Sequence, residues 1–192
     1  LRYVSNPAPV QWVNEPYWKK RCLLETNRRP LIEMNDPALD KMYKKTSFRS
    51  GTNRLKKLGP IEFERITSRE QLDVLFDELQ VMYDFRQGAM FNFNQFKDDP
   101  FKADFIRALF DQGLIYFTVL RVKDQVFASV SGVAYKDWMY FAGSFITHTP
   151  FRAKYYSPGF VQIMMLTQLL KKDGMSVLDL TAGGDFYKGR LA

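Results

Sequence analysis

The chain has 192 residues, the size of one ordinary domain with or without an appendage. Its 46% hydrophobic and 16% aromatic content excludes a disordered polymer, and no run of about 18 uncharged apolar residues offers a membrane-spanning helix. The net charge of +7 is local: residues 1–59 hold 13 Lys/Arg against 5 Asp/Glu, whereas residues 60–192 hold 15 against 16.

Residues 1–38 contain Pro7, Pro9, Pro16, Pro30 and Pro37, which forbid long helices. The stretches CLLE and PLIEM read as short strands. The start, LRYVSNPAPV, has no methionine and no charged-then-apolar signal design. This segment is expected to be an appendage, or the tail of something upstream. The single cysteine, Cys22, permits neither an internal disulfide nor a cysteine metal cluster, and it favours a reducing, cytoplasmic compartment. A catalytic pairing of Cys22 with the sole histidine, His148, has no supporting motif.

Residues 39–58 read as a basic helical connector, KMYKKTSFRSGTNRLKKLG from Lys41 to Gly59, weakened in its middle by Ser50, Gly51 and Thr52. Such a run either binds nucleic acid or simply solvates a linking helix. From Gly59 the pattern is regular. PIEFERI alternates as a strand. Thr67 or Ser68 caps a helix, with Glu70 near the capping-box position, and Leu72, Leu75, Phe76, Leu79, Met82 and Tyr83 follow at helical spacing. A second helix is expected over 98–110, stopped near Gly113. Three strands follow at 114–122, 126–135 and 138–146, joined by turns short enough for hairpins. A helix over 157–173 and a strand over 177–180 complete the order β-α-α-β-β-β-α-β. That order predicts a mixed α+β fold with a mostly antiparallel sheet, the 138–146 and 177–180 strands lying adjacent and diverging.

The segment from Lys154 to Lys188 carries most of the chemistry. Ser157 reads as an N-cap and Pro158 as the first helical residue. Gly159 allows close approach to the backbone. The N–H groups of Gly159, Phe160 and Val161 are expected to lack partners and to face an anion such as a phosphate. The apolar residues cover most of this helix's circumference, which predicts a buried helix. By itself the pattern also fits an ordinary capped helix.

The same residues and their order resemble the GNAT acyltransferases, whose signature [QR]-x-x-G-x-[GA] has the spacing of Lys154, Ser157 and Gly159. Lys154 stands for the usual Gln or Arg and Ser157 for the first glycine. Four further motifs resemble the CelD/BcsL group, relatives of the FemAB peptidyltransferases. They are Phe48-Arg49; Arg54-Leu55-Lys56-Lys57-Leu58-Gly59-Pro60; Tyr156-Ser157-Pro158-Gly159; and Asp179, Gly183, Tyr187 and Lys188. The resemblance covers residues 40–192 and implies a domain over 59–192 with its closing strands missing, often paired with an upstream GNAT-like half. It also implies an acyl-CoA donor, an amine acceptor on a sugar, peptide or cell-envelope precursor, and no metal. The phosphates would lie against Lys154, Ser157, Pro158, Gly159, Phe160 and Val161. Direct attack by the amine would be assisted by a base and an acid, for which the candidates are His148, Asp179 and Tyr187. Asp185 and Lys188 are candidates for acceptor binding. Each has a plain alternative: Tyr187 as a packed loop anchor, Asp179 as a structural ion pair, Asp185 as a turn residue, His148 as an incidental loop histidine, and Lys154 and Lys188 as surface lysines. FemAB-like transfer from an aminoacyl-tRNA, served by the basic 41–57 segment, is a second implication. A degenerate, non-catalytic binding module is a third.

Overall fold

The computed structural model describes residues 14–21, 29–141, 145–182 and 188–191. In chain order the elements are α1 (Pro16–Lys19), β1 (Leu31–Glu33), α2 (Pro37–Lys44), α3 (Thr46–Lys56), β2 (Ile61–Ile66), α4 (Arg69–Phe91), α5 (Gln95–Asp98), α6 (Lys102–Asp111), β3 (Ile115–Val122), β4 (Gln125–Tyr135), β5 (Trp138–Tyr140), β6 (Ile146–His148), α7 (Ala153–Tyr156), α8 (Pro158–Lys172), β7 (Val177–Asp179) and α9 (Lys188–Leu191). Together they form the expected mixed α+β fold. The strands make one sheet in the order β1-β7-β5-β4-β3-β2, with β6 also paired to β4. Only β5 and β7 run parallel.

Several boundaries differ from the sequence reading, each for a local reason. The basic connector is two helices, because Lys45 is extended (φ −60°, ψ 142°) and breaks the run. Neither helix merely links: Phe48, Gly51 and Leu55 are buried, and a methyl group at Gly51 would stand 3.0 Å from Val161 Cγ2. The helix expected at 98–110 is also two, α5 and α6. Pro100 disfavours helical backbone at the residue before it, and Asp99 is extended (φ −123°, ψ 100°). The cap of α4 is Ser68, and the residue answering it is Gln71 rather than Glu70. Gln71 is three positions on, so its side chain reaches back to the Ser68 N–H. PLIEM yields β1, an edge strand antiparallel to β7, whereas CLLE and Cys22 lie outside the described residues.

The sheet separates two cores. On one face α2, α3 and α8 cover Tyr116, Leu120, Val130, Met139 and Leu178. On the other, α4, α5 and α6 cover Phe117, Val119 and Phe145. Helix α8 is buried almost all round, as its apolar composition predicts: Val161, Met164, Leu166 and Leu170 are fully enclosed.

Candidate functional site where the sheet opens

The single strand expected at 138–146 is two strands with different neighbours. Residues 138–140 pair with the end of β4 and, in parallel, with β7. The Phe141 N–H still donates to the Asp179 carbonyl, at 2.9 Å. Beyond that point the chain leaves β7, and residues 146–148 pair only with Ala128–Val130 of β4. The sheet therefore opens between β6 and β7, giving the adjacency and divergence expected of these two strands. The N-terminus of α8 stands beside β6.

His148 ends β6 and lies against that helix start. A methyl group on Gly159 would come within 3.1 Å of His148 Cδ2. The glycine thus admits the imidazole, where the sequence suggested that it admits a ligand. His148 Nδ1 is 3.1 Å from the Thr149 carbonyl. Read as a donated N–H, this contact leaves Nε2 with a free lone pair; the tautomer is assigned from the hydrogen bond. Burial lowers the His148 pKa most, and the charge of Arg86 lowers it further against the raising effect of the Thr149 carbonyl. Arg86, on α4, donates to the Ile146 carbonyl at 2.9 Å and so holds β6 from the opposite face.

The phosphate-loop reading changes in two respects. Ser157 is not a side-chain cap: it sits in the left-handed region (φ 51°, ψ 46°) and its hydroxyl donates to the Lys154 carbonyl at 3.4 Å. A short preceding helix, α7, reaches Tyr156, and a left-handed residue is needed to turn the chain from it into α8. The Val161 N–H is taken by the Ser157 carbonyl at 3.0 Å, because Pro158 starts the helix and Val161 is the first residue able to close a helical bond. The N–H groups of Gly159 and Phe160 have no acceptor among the described residues. Pro158 is buried, Phe160 is half-buried, and Lys154 is exposed nearby. Arg54 clamps α3 to this corner: it donates to the Tyr155 carbonyl at 2.6 Å, with its guanidinium 4.6 Å from the Tyr155 ring centre.

Asp179 is fully buried, and both carboxylate oxygens are engaged. Oδ2 accepts from Arg29 Nε at 2.6 Å and pairs with the same guanidinium, while Oδ1 accepts from the Thr181 N–H at 2.7 Å. Of the two alternatives for this residue, that is the geometry of a structural ion pair. Lys188, read as an acceptor-binding candidate or a surface lysine, is buried at 6% exposure rather than on the surface. Tyr187, Asp185 and Gly183 lie outside the described residues.

Sequence reasoning missed Gln162 and Thr118. Gln162, fully buried on α8, donates from Nε2 to the Thr118 hydroxyl at 2.9 Å and to its carbonyl at 3.1 Å, while its Oε1 has no partner among the described residues. A glutamine within an apolar helix was the available signal. Arg86, Arg29 and Lys102 were missed as well, with no local pattern to reveal them.

No helix among the described residues is long and apolar enough to cross a membrane, and no three or more of their His, Cys, Asp and Glu side chains group so as to hold a metal ion. No curated protein matches the sequence. The fold is similar to the crystal structure of the C-terminal DUF2156 domain of a protein described as a lysylphosphatidylglycerol synthetase from Agrobacterium fabrum. The TM-score is 0.58 and the identity 17%, over 86% of this chain and 49% of that one. It is also similar to the structure of L-PGS from Bacillus licheniformis, with a TM-score of 0.51 and 13% identity over 85% and 49% of the two chains. The chain thus spans about half the length of these two neighbours. Residues 43–189 match the model of the acetyltransferase (GNAT) domain, and the chain belongs to that family of transferases.

Proposed function

We propose that this domain transfers an acyl group from acyl-CoA to an amine, at the opening between β6 and β7. The observation that carries the reading is the contact between His148, at the end of β6, and Gly159, at the start of α8. It supports a site in which a neutral imidazole with an open Nε2 works next to the N–H groups of Gly159 and Phe160, which have no acceptor among the described residues. The donor's pyrophosphate binds those N–H groups, helped by Lys154. The acceptor amine attacks the thioester carbonyl carbon, Nε2 takes the proton that the nitrogen sheds, and the C–S bond breaks to give an amide and a thiolate. Tyr187 protonates the thiolate, and Asp185 and Lys188 contact the acceptor. Asp179 holds the end of β7 through Arg29 and takes no proton. Within the family the four motifs that resemble the CelD/BcsL group support a place there, with an acceptor in a cell-envelope precursor and a cytoplasmic location.

The test is calorimetric titration with acetyl-CoA, followed by an amide-forming assay over a panel of amine acceptors. Binding that weakens on Lys154→Ala, with turnover lost in His148→Ala, is the expected result. Absence of acetyl-CoA binding overturns the reading.

A second donor, an aminoacyl-tRNA, is favoured by a specific feature. Lys41, Lys44, Lys45, Arg49, Lys56 and Lys57 are all exposed on α2, α3 and the turn that follows, and α3 packs on α7 and α8. One of the two structural neighbours carries the name of a lysylphosphatidylglycerol synthetase, which accords with aminoacyl transfer. Salt-sensitive tRNA binding together with no acetyl-CoA binding selects this donor.

A further inference from the structure

On the face opposite α8, the helices α4, α5 and α6 border an open hollow of about 550 Å³ lined by Tyr83, Gln95, Asp99, Phe101, Lys102 and Phe105, with Ile106 and Phe141. Two features set it apart from an incidental surface hollow.

The first is Lys102. Its ammonium is half-buried and caged by rings, 5.2 Å from the Tyr83 centroid and 5.3 Å from the Phe96 centroid, and it donates to Gln95 Oε1. No carboxylate forms an ion pair with it among the described residues. Asp84 and Asp99 act on its charge from a distance, and both accept backbone N–H groups. Asp84 accepts the N–H groups of Phe96 and Lys97 at 2.9 Å each, and Asp99 accepts that of Phe101 at 3.0 Å. Burial lowers the Lys102 pKa, against the raising effect of Asp84 and Asp99. A partly desolvated cation that makes no ion pair among the described residues keeps capacity for an incoming anion, whose pairing with it must outweigh the repulsion of Asp99.

The second is the wall around it. Phe101 and Phe105 are 76% and 58% exposed at the mouth, far more than aromatic side chains of a packed helix pair. Phe141 closes the far side. It belongs to the core cluster on the α8 face, yet it lines a cavity whose other walls come from α4, α5 and α6, so it stands in the opening of the sheet. The cavity accordingly reaches the place where β5 ends and β6 departs.

We propose that this cavity binds the acceptor, and that the acceptor carries an anionic group, carboxylate or phosphate, beside an apolar body. The anion pairs with Lys102, and the apolar body lies between Phe101, Phe105 and Ile106. Calling the ligand the acceptor rests on the acyl-transfer reading; the binding chemistry does not, and it is measured without any donor.

The experiment titrates the whole chain with octyl phosphate and with octylammonium by calorimetry, and in parallel measures co-sedimentation with phosphatidylcholine vesicles with and without phosphatidylserine. Octyl phosphate is expected to bind and octylammonium to bind at least about tenfold more weakly, the factor that a charged hydrogen bond supplies. Lys102→Met is expected to weaken octyl phosphate by about tenfold. Phe105→Glu, at an exposed position that the fold does not need, is expected to abolish it. Lys102-dependent binding of octyl phosphate alone identifies a free acceptor; Lys102-dependent binding to phosphatidylserine vesicles as well identifies a lipid-borne one. Either supports the proposal. Failure to bind either probe overturns it, and so does binding that Lys102→Met and Phe105→Glu leave unchanged, whatever acetyl-CoA titration shows.

Discussion

The two faces of the sheet are built on different principles. On the α8 face an almost wholly apolar helix is buried, and the polar groups admitted there are few and specific: Gln162 on Thr118, and His148 against Gly159. On the α4 face the core is aromatic. Phe145 lies within 6.1 Å of Phe76, Tyr83, Phe96 and Phe117, centroid to centroid. That same face leaves Phe85, Phe91, Phe101 and Phe105 more than half exposed. The difference teaches that one face is closed around a fixed backbone feature, whereas the other combines a rigid centre with an apolar rim that none of the described residues covers. A site needing precise placement of one imidazole suits the first, and a site accepting an apolar ligand suits the second.

The largest test of this contrast is Phe145→Ala. Removing the ring at the centre of five aromatics leaves a cavity that rigid neighbours cannot fill, and a loss of about 4 kcal/mol is expected in chemical denaturation. A loss below about 1 kcal/mol would mean that the aromatic face is loosely packed after all.

Arg29→Ala comes next. It leaves Asp179 fully buried with only the Thr181 N–H, and a loss of about 3 kcal/mol is expected. The reverse change, Asp179→Ala, should cost less, because the Arg29 side chain is 44% exposed and water can solvate it. Equal losses would show that the pair acts through β1–β7 pairing rather than through charge burial.

His148→Ala tests the chemistry of the α8 face. Turnover should fall by roughly a hundredfold or more, the usual contribution of a general base. In the parent the acid limb of the rate profile should lie below the ordinary histidine value, because burial favours the neutral ring. Stability carries the same sign. The folded-state pKa is lowered, so the unfolded chain binds the proton more readily. The contribution is fully present above the unfolded value and is lost as pH falls through the folded one. His148→Asn should flatten that acid slope in a pH series of thermal melts. Gly159→Ala displaces the ring rather than removing it, and should cut turnover while leaving donor affinity nearly intact.

Ser157→Ala is the smallest expected effect. A lost helix cap would cost about 1 kcal/mol. Here the hydroxyl makes no cap, so the change should stay within about 0.5 kcal/mol by denaturation.

Much of the fold was legible in the sequence because its causes are local. Hydrophobic period distinguished α4 from β3 and β4, Thr67 or Ser68 marked a helix start although Glu70 was read in place of Gln71, and the circumferential apolarity of the 157–173 segment announced a buried helix. The GNAT resemblance, carried by motifs in order, is borne out by the family match over residues 43–189. The breaks within expected elements were harder to see. Pro100 was visible, but the extended Lys45 and the departure of β6 from β7 depend on what each strand pairs with.

The sequence by itself therefore determined which segments are helix and strand, their order, and the family to which they belong. Only the tertiary structure decided where the sheet opens, that Gly159 receives the His148 ring, that Asp179 is held by a residue 150 positions away, and that Lys102 makes no ion pair among the described residues. The physical reason is the range of the interactions. Backbone propensity and hydrophobic period act over a few residues and are written in neighbours along the chain. Ion pairs, ring contacts and strand pairing join residues that only folding brings together, and no spacing in the sequence encodes them.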